Sequence, residues 1–232
     1  MNLSECLKQL SFGELANTSW GVSGTGAIKE EKIPATVHFI NEALLRLYSR
    51  FLLKKKSLHL EMYDGITRYH LTSEHAFSNK DSDKVKYIFD TEASPFENDV
   101  IKVLGVNTTV GAELPLNNPI EPWSVFTPEY NILEVPKPLR SSVLVVHYQA
   151  KHPELTPDNL EAEIDLPFVL EGALKAYVAY QVYSNMNTQE AVGNAQKHLA
   201  IFQSILQEAT EQDVVSITYS QTNTKFRRNG WV

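Results

Sequence analysis

Apolar residues in this 232-residue chain recur at helical spacing near both ends and alternate at strand spacing between them. Asn2 and Glu5 have capping-box spacing, Leu3, Leu7 and Leu10 share a face, and Gly13 can end the turn, so residues 2–10 are expected to be a short helix. Residues 14–30 are rich in Gly, Ser and Thr and read as a loop. Pro34 suits the first turn of a second helix. Val37, Ile40, Leu44, Leu47 and Phe51 give it a 3-4-3-4 stripe over 34–53.

The period changes at Ser57. Leu58, Leu60 and Met62 alternate with His59 and Glu61, and Asp64-Gly65 follows, the signal of a two-residue hairpin. That register sets Leu58 against Leu71, Leu60 against Tyr69, Glu61 against Arg68 and His59 against His70. Short β-like runs continue at 84–89, 100–106, 123–126, 132–135 and 142–150. In the last, Val143, Val145 and His147 share one face and Leu144, Val146 and Tyr148 the other. Prolines at 115, 119, 122, 128, 136 and 138 confine the middle runs to edge strands and loops.

Helical spacing returns after Asp165. A run from Pro167 to Ser184 is apolar nearly all round, which requires burial on more than one side, within the chain or against a neighbour. Asn187 and Glu190 again have capping-box spacing, and Val192, Ala195, Leu199, Phe202 and Leu206 form the next stripe, so 166–211 is expected to be an αα-hairpin. From 213 the pattern alternates once more: Val215, Ile217 and Tyr219 lie between polar residues, and Lys225, Phe226, Arg227, Arg228, Trp231 and Val232 follow. Extended, this segment would reach roughly 65 Å at ~3.3 Å per residue. Ordering it costs about 1–2 kcal/mol per residue, which a sheet, a groove or another chain must offset; another chain is the favoured reading, and a strand folded back onto the β section is the competing one. The expected class is α+β: a helical bundle from 1–54 and 160–212, an inserted antiparallel β domain at 55–159, and an extended C-terminal docking arm at 213–232.

Composition narrows the function. The net charge of −7 leaves no basic surplus for holding phosphates. The lysines at 54–56 are read as complementing a helix C-terminus. No apolar run reaches the ~20 residues of a membrane span. The opening residues lack a signal-peptide pattern, and with Cys6 as the single cysteine this points to intracellular synthesis without a disulfide framework. Cys6 itself reads as a small buried hydrophobe.

Candidate chemistry is sparse. Residues 21–26 carry three glycines but lack the preceding strand and the Lys-Ser/Thr of a phosphate loop, and read as a surface loop. Facing His59 and His70, with Glu61, are the sharpest metal hypothesis. The competing reading is a solvated sheet face with a Glu61–Arg68 pair. Glu154, Asp158, Glu161, Glu163 and Asp165 cluster before a helix start, where negative charge is favourable without any catalytic role. No cofactor is implied.

Several local patterns carry a family resemblance. LKQLSFGELAN is followed by IPATVHFINEALLRLYSRFLLKKKSLHLEM, and SSVLVVHYQAKHPELT leads into EIDLPFVLEGALKAYVAYQVY, with FRRNGWV closing the chain. In these segments and their order the chain resembles the head-to-tail adaptor proteins of short-tailed bacteriophages, a ring-forming family known as tail tubular protein A or head-completion protein. Residues 77–140 carry no matching pattern. The resemblance implies a virion protein, assembled in the host cytoplasm as a ring commonly of twelve copies. It implies a portal protein and a tail nozzle or tail tube protein as partners, with DNA passing through the lumen unheld and no membrane involved. Tyr219, Lys225, Phe226, Arg227, Arg228, Trp231 and Val232 would then contact the portal. Two alternatives come from other classes: a carbohydrate- or ligand-binding module with Trp123, Phe126 and Tyr130 as a stacking platform, and an envelope hydrolase using Glu161.

Overall fold

The computed structural model describes residues 1–22, 25–186 and 188–213. Asn2 caps α1 (Leu3–Phe12), its side-chain oxygen accepting the Glu5 N–H at 2.8 Å, and the Gly13 N–H closes on the Gln9 carbonyl. Leu3, Cys6, Leu7 and Leu10 are buried beneath it, and burial pushes the Cys6 thiol up to about 12. The expected loop contains a small antiparallel pair, β1 (Gly21–Val22) and β2 (Ala27–Ile28). Gly26 turns this pair at φ +68, where a Cβ would collide with the Phe12 ring.

Pro34 lies in the first turn of α2 (Ile33–Arg50), and the stripe Val37, Ile40, Leu44 and Leu47 is buried. The helix stops at Arg50, earlier than expected, because Phe51 turns extended. Lys55 and Lys56 therefore belong to a strand and do not complement a helix end. After the β section come α3 (Phe168–Ser184) and α4 (Gln189–Glu211). The cap of α4 is Thr188, whose side chain accepts the Ala191 N–H at 3.2 Å, so the Asn187–Glu190 spacing misplaced this start. That shift puts Ala191 rather than Val192 in the core beside Ala195, Phe202 and Leu206. The apolar girth of α3 has a plain cause: α1, α2 and α4 all pack on it. These helices share one cluster of buried side chains.

Between the helices lie β3 (Lys55–Glu61), β4 (Arg68–His70), β5 (Ile88–Phe89), β6 (Val100–Thr108), β7 (Glu113–Leu114), β8 (Phe126–Glu129), β9 (Ile132–Glu134) and β10 (Val143–Ala150). They form a five-stranded antiparallel sheet in the order β5-β3-β10-β6-β7 and a three-stranded sheet, β4-β9-β8. Pro128 lies in β8, an edge strand, as its missing N–H demands.

The predicted hairpin does not form. Glu61 pairs with Val143 and Arg68 with Glu134, in different sheets. Residues between them turn a corner, with Gly65 at φ +81. The Met62 N–H still bonds Ser142 of the first sheet, while Thr67 accepts from Val135 of the second. The apolar face nevertheless survives: Leu58, Leu60, Tyr69 and Leu71 are all buried in the cluster that the two sheets share.

Strand β6 departs from alternation for a similar reason. Val100, Val103 and Val106 are all buried although they lie three apart. The register against β10 slips twice, leaving Leu104 and Ile101 as extra residues. Each bulge restores the next valine to the core face, and Ile101 instead packs on the helical cluster.

The end of β10 joins the two clusters. Gln149, buried, donates to the Phe51 carbonyl at 3.0 Å and also to that of Tyr48. His152, buried, accepts the Asp165 N–H on Nε2 at 3.1 Å, which leaves Nδ1 as the protonated nitrogen, donating to the Pro153 carbonyl. Tyr48 meets the His152 ring edge-on and donates to the Asp165 carbonyl. Asn41 exchanges two hydrogen bonds with the backbone of Leu155, at 2.9 and 3.0 Å. Nearby, Lys56 pairs with the buried Asp99 at 2.6 Å and with Glu97 at 3.2 Å, and Tyr148 donates to Asp99 at 3.0 Å. Burial lowers the Lys56 pKa, but Asp99 and then Glu97 outweigh it and leave it raised.

Two outcomes follow from these contacts. Asp99→Ala strands the Lys56 ammonium and the Tyr148 hydroxyl, and is expected to remove about 2–3 kcal/mol in urea unfolding; an unchanged midpoint would show that the pair holds nothing. Burial lowers the His152 pKa. Its contribution is therefore full above the unfolded value of about 6.5 and is lost as pH falls through the folded value. Melts between pH 7.5 and 5 should fall less steeply for His152→Gln than for the wild type. Parallel curves would exclude His152 as a source of acid sensitivity.

Candidate functional site

Every residue of the expected docking set, Tyr219, Lys225, Phe226, Arg227, Arg228, Trp231 and Val232, lies outside the described residues, as does the alternating stretch at 215–219. Among the described residues, the remaining candidates resolve differently from their sequence readings. His59 sits in β3 opposite Val145 and Phe89, whereas His70 sits in β4 opposite Ile132 and stacks on His75. The two imidazoles therefore do not share a sheet face. Glu61 accepts from the Tyr63 hydroxyl at 3.0 Å, and Arg68 pairs with Glu134 at 3.0 Å. No group of three or more potential metal-ligating side chains occurs among the described residues.

The acidic stretch is structural where its contacts are seen. Glu161 accepts from the Asn2 amide at 3.1 Å, Glu163 bridges Asn2 through the backbone, and Asp165 is held by His152 and Tyr48. These contacts bind the chain ahead of α3 to the start of α1. The aromatic platform also divides. Trp123 lines one cavity and Tyr130 another, and Phe126 lines neither.

Two further features border the five-stranded sheet, an apolar cavity at its strand ends and an aromatic pair at its β5 edge. Across the end of β3, the start of β10, the end of β6 and β7 opens a cavity of about 420 Å³, lined by Met62, Leu114, Trp123, Val125, Leu139 and Leu144 among others. Lys137 stands over the Trp123 ring at 5.7 Å. Beyond β5, Phe77 and Phe89 stack on each other at the surface, with centroids 5.0 Å apart. Sequence reasoning missed both features. Their residues come from loops around 77–89 and 122–139, and alternation says nothing about which loops meet. Exposed Trp123 was the one available signal.

Tyr183 stacks on His198 beside a polar cavity, and burial lowers the His198 pKa. No helix among the described residues is long and apolar enough to cross a membrane.

Comparison with known proteins places this arrangement in a family. A search of curated proteins finds no match to the chain. The family model of the SU10 adaptor protein matches residues 12–225, a span that takes in the whole β cluster and the helical cluster apart from α1, and the chain thus belongs to the SU10 adaptor protein family of phage head-to-tail adaptors.

Proposed function

We propose that this phage structural adaptor works as a ring of copies, twelve by analogy with the adaptors it resembles, seated between the portal and the tail nozzle. The family match over residues 12–225 carries the reading. Other properties support it. The net charge of −7 suits a channel through which DNA must pass without being held. The helical part (1–54 and 160–212) forms the ring body, with the β domain (55–159) inserted in it. The hydrogen bonds of Gln149, His152 and Asn41 to backbone fix one to the other, so load passes between them.

In this reading residues 213–232 are the portal-docking arm. Strand or groove addition needs little from the partner's sequence, because main-chain hydrogen bonds supply much of the contact. Phe226 and Trp231 act as anchors, and Arg227 and Arg228 pair with carboxylates. Many arms on one ring bind with avidity, so each contact can be weak. The protein acts as a structural part of the virion and not as an enzyme.

Deleting residues 221–232 should leave helical circular dichroism and melting unchanged while abolishing association with purified portal rings. Trp231→Ala alone should weaken that association by roughly tenfold or more. Portal binding by the truncated chain at wild-type level would remove the arm from the proposal.

A further inference from the structure

Strand β3 is covered unevenly on the side away from β10. The Met62 N–H bonds the Ser142 carbonyl and the Lys54 carbonyl accepts from Ala150, so even-numbered residues of β3 turn their main-chain groups to β10. Odd-numbered residues turn theirs to the β5 side, where the Glu61 N–H bonds the Tyr87 carbonyl and His59 pairs with Phe89. Continued past Phe89, β5 would set Thr91 opposite Ser57. Instead the Asp90 carboxylate accepts the Ser78 and Phe96 N–H groups at 2.7 and 2.9 Å, and the Thr91 N–H bonds the Ser94 carbonyl. Ser57 is exposed, and its N–H and C=O meet no main-chain partner among the described residues. In place of a strand there is a cavity of about 470 Å³, lined by Ser57, Leu58, His59, Phe89, Phe96 and Tyr148 among others. An open stretch of strand edge is a template for one more strand.

The end of α4 lies near this gap. Arg50, the last residue of α2, donates to the Thr210 hydroxyl at 3.4 Å, and α4 stops at Glu211. From Arg50 the chain reaches β3 through Phe51, Leu52 and Leu53, all half-buried, which form an apolar track. Ser57 is seven residues beyond Arg50, at most about 25 Å. Residues 214–220, extended, cover roughly 23 Å at ~3.3 Å each.

We infer that residues 214–220 add to β3 of their own chain as a strand, filling the gap that β5 leaves at Ser57. Entering from the Arg50 end, the added strand runs parallel to β3. Its sequence matches the two faces it would join. Leu58, Phe96 and Tyr148 are buried toward the β cluster, whereas Ser57 and His59 are exposed on the other side. Val215, Ile217 and Tyr219 continue the first set, and Ser216, Thr218 and Ser220 the second. A neighbour's arm would have to cross from another copy, while the chain's own arm starts beside the gap. The pairing anchors the root of the arm and leaves its tip, residues 221–232, to reach the portal.

Amide exchange at Ser57 tests the pairing, with circular dichroism as the folding control. Ser57 should exchange at least tenfold faster in a chain ending at Asp213 than in one ending at Ser220, which should match the whole protein. Equal exchange in the two truncated chains would overturn the pairing. One of any two adjacent strand residues turns its N–H to the partner strand, so Ile217→Pro/Thr218→Pro in the full chain should also speed Ser57 exchange. Slow exchange in that variant would count equally against the pairing. Cysteines identify which chain supplies the strand. The native Cys6 is fully buried, with a thiol pushed up to about 12, and stays out of disulfide exchange. Ser57→Cys combined with Ser216→Cys or Thr218→Cys should, on mild oxidation, lose both new thiols and still run as a monomer on non-reducing denaturing gels. Linked dimers and longer ladders would assign the gap to a neighbour's arm and overturn pairing within the chain, as would no link at either position. Portal binding is read separately. A chain ending at Ser220 that still binds portals would remove the tip from the portal and leave the Ser57 result standing.

Discussion

Backbone polar groups of a buried strand must be paired on both sides, and the strand Val143–Ala150 is where that requirement governs this protein. Strand β10 bonds to β3 along one edge and to β6 along the other. Its inner face, Leu144, Val146 and Tyr148, lies at the centre of the β cluster. Its last residues then leave the sheet for the helices. Gln149 satisfies carbonyls at the end of α2, and the Ala150 N–H bonds Lys54. One strand thus completes the sheet and places the β cluster against the helical one.

The segment from 151 to 167 extends that attachment without forming regular structure. Its polar groups find partners in side chains: Asn41 with Leu155, His152 with Asp165, Tyr48 with Asp165. Such a connection is specific because each missing partner would leave a buried polar group unmet. Leu155 and Ile164 add apolar burial in the helical cluster. The β section is held to α2 and to the chain ahead of α3 by several hydrogen bonds.

Legibility followed the range of the determining interaction. Caps, stripes and turns act within one helical turn, so Asn2, Pro34 and the α2 stripe were readable from spacing. Thr188 shows the limit of such signals, because Asn187 and Thr188 are adjacent and both are cap-forming residue types, so spacing alone does not choose between them. The valines at 100, 103 and 106 defeat a period-two reading because two bulges in β6 answer the register of β10. The aromatic pair and the cavity were illegible for a stronger reason. Phe77 meets Phe89 across a strand edge, and Trp123 shares a cavity with Met62, so each contact depends on loops brought together from afar.

By itself the sequence determined which side chains turn inward wherever a strand or helix runs without bulges, since hydrophobic periodicity is a local property that survives a change of partner. Leu58, Leu60, Tyr69 and Leu71 are buried as their alternation required, although the strands they occupy never pair. The girth of α3 likewise announced burial on several sides, and three helices of the same chain supply it. Only the tertiary structure decided the partners. Alternation specifies a face but carries no address, and β10, some eighty residues further along the chain, competes for β3 with a larger apolar surface than the nearby β4 offers. That choice sent Asp64-Gly65 around a corner between two sheets and separated His59 from His70.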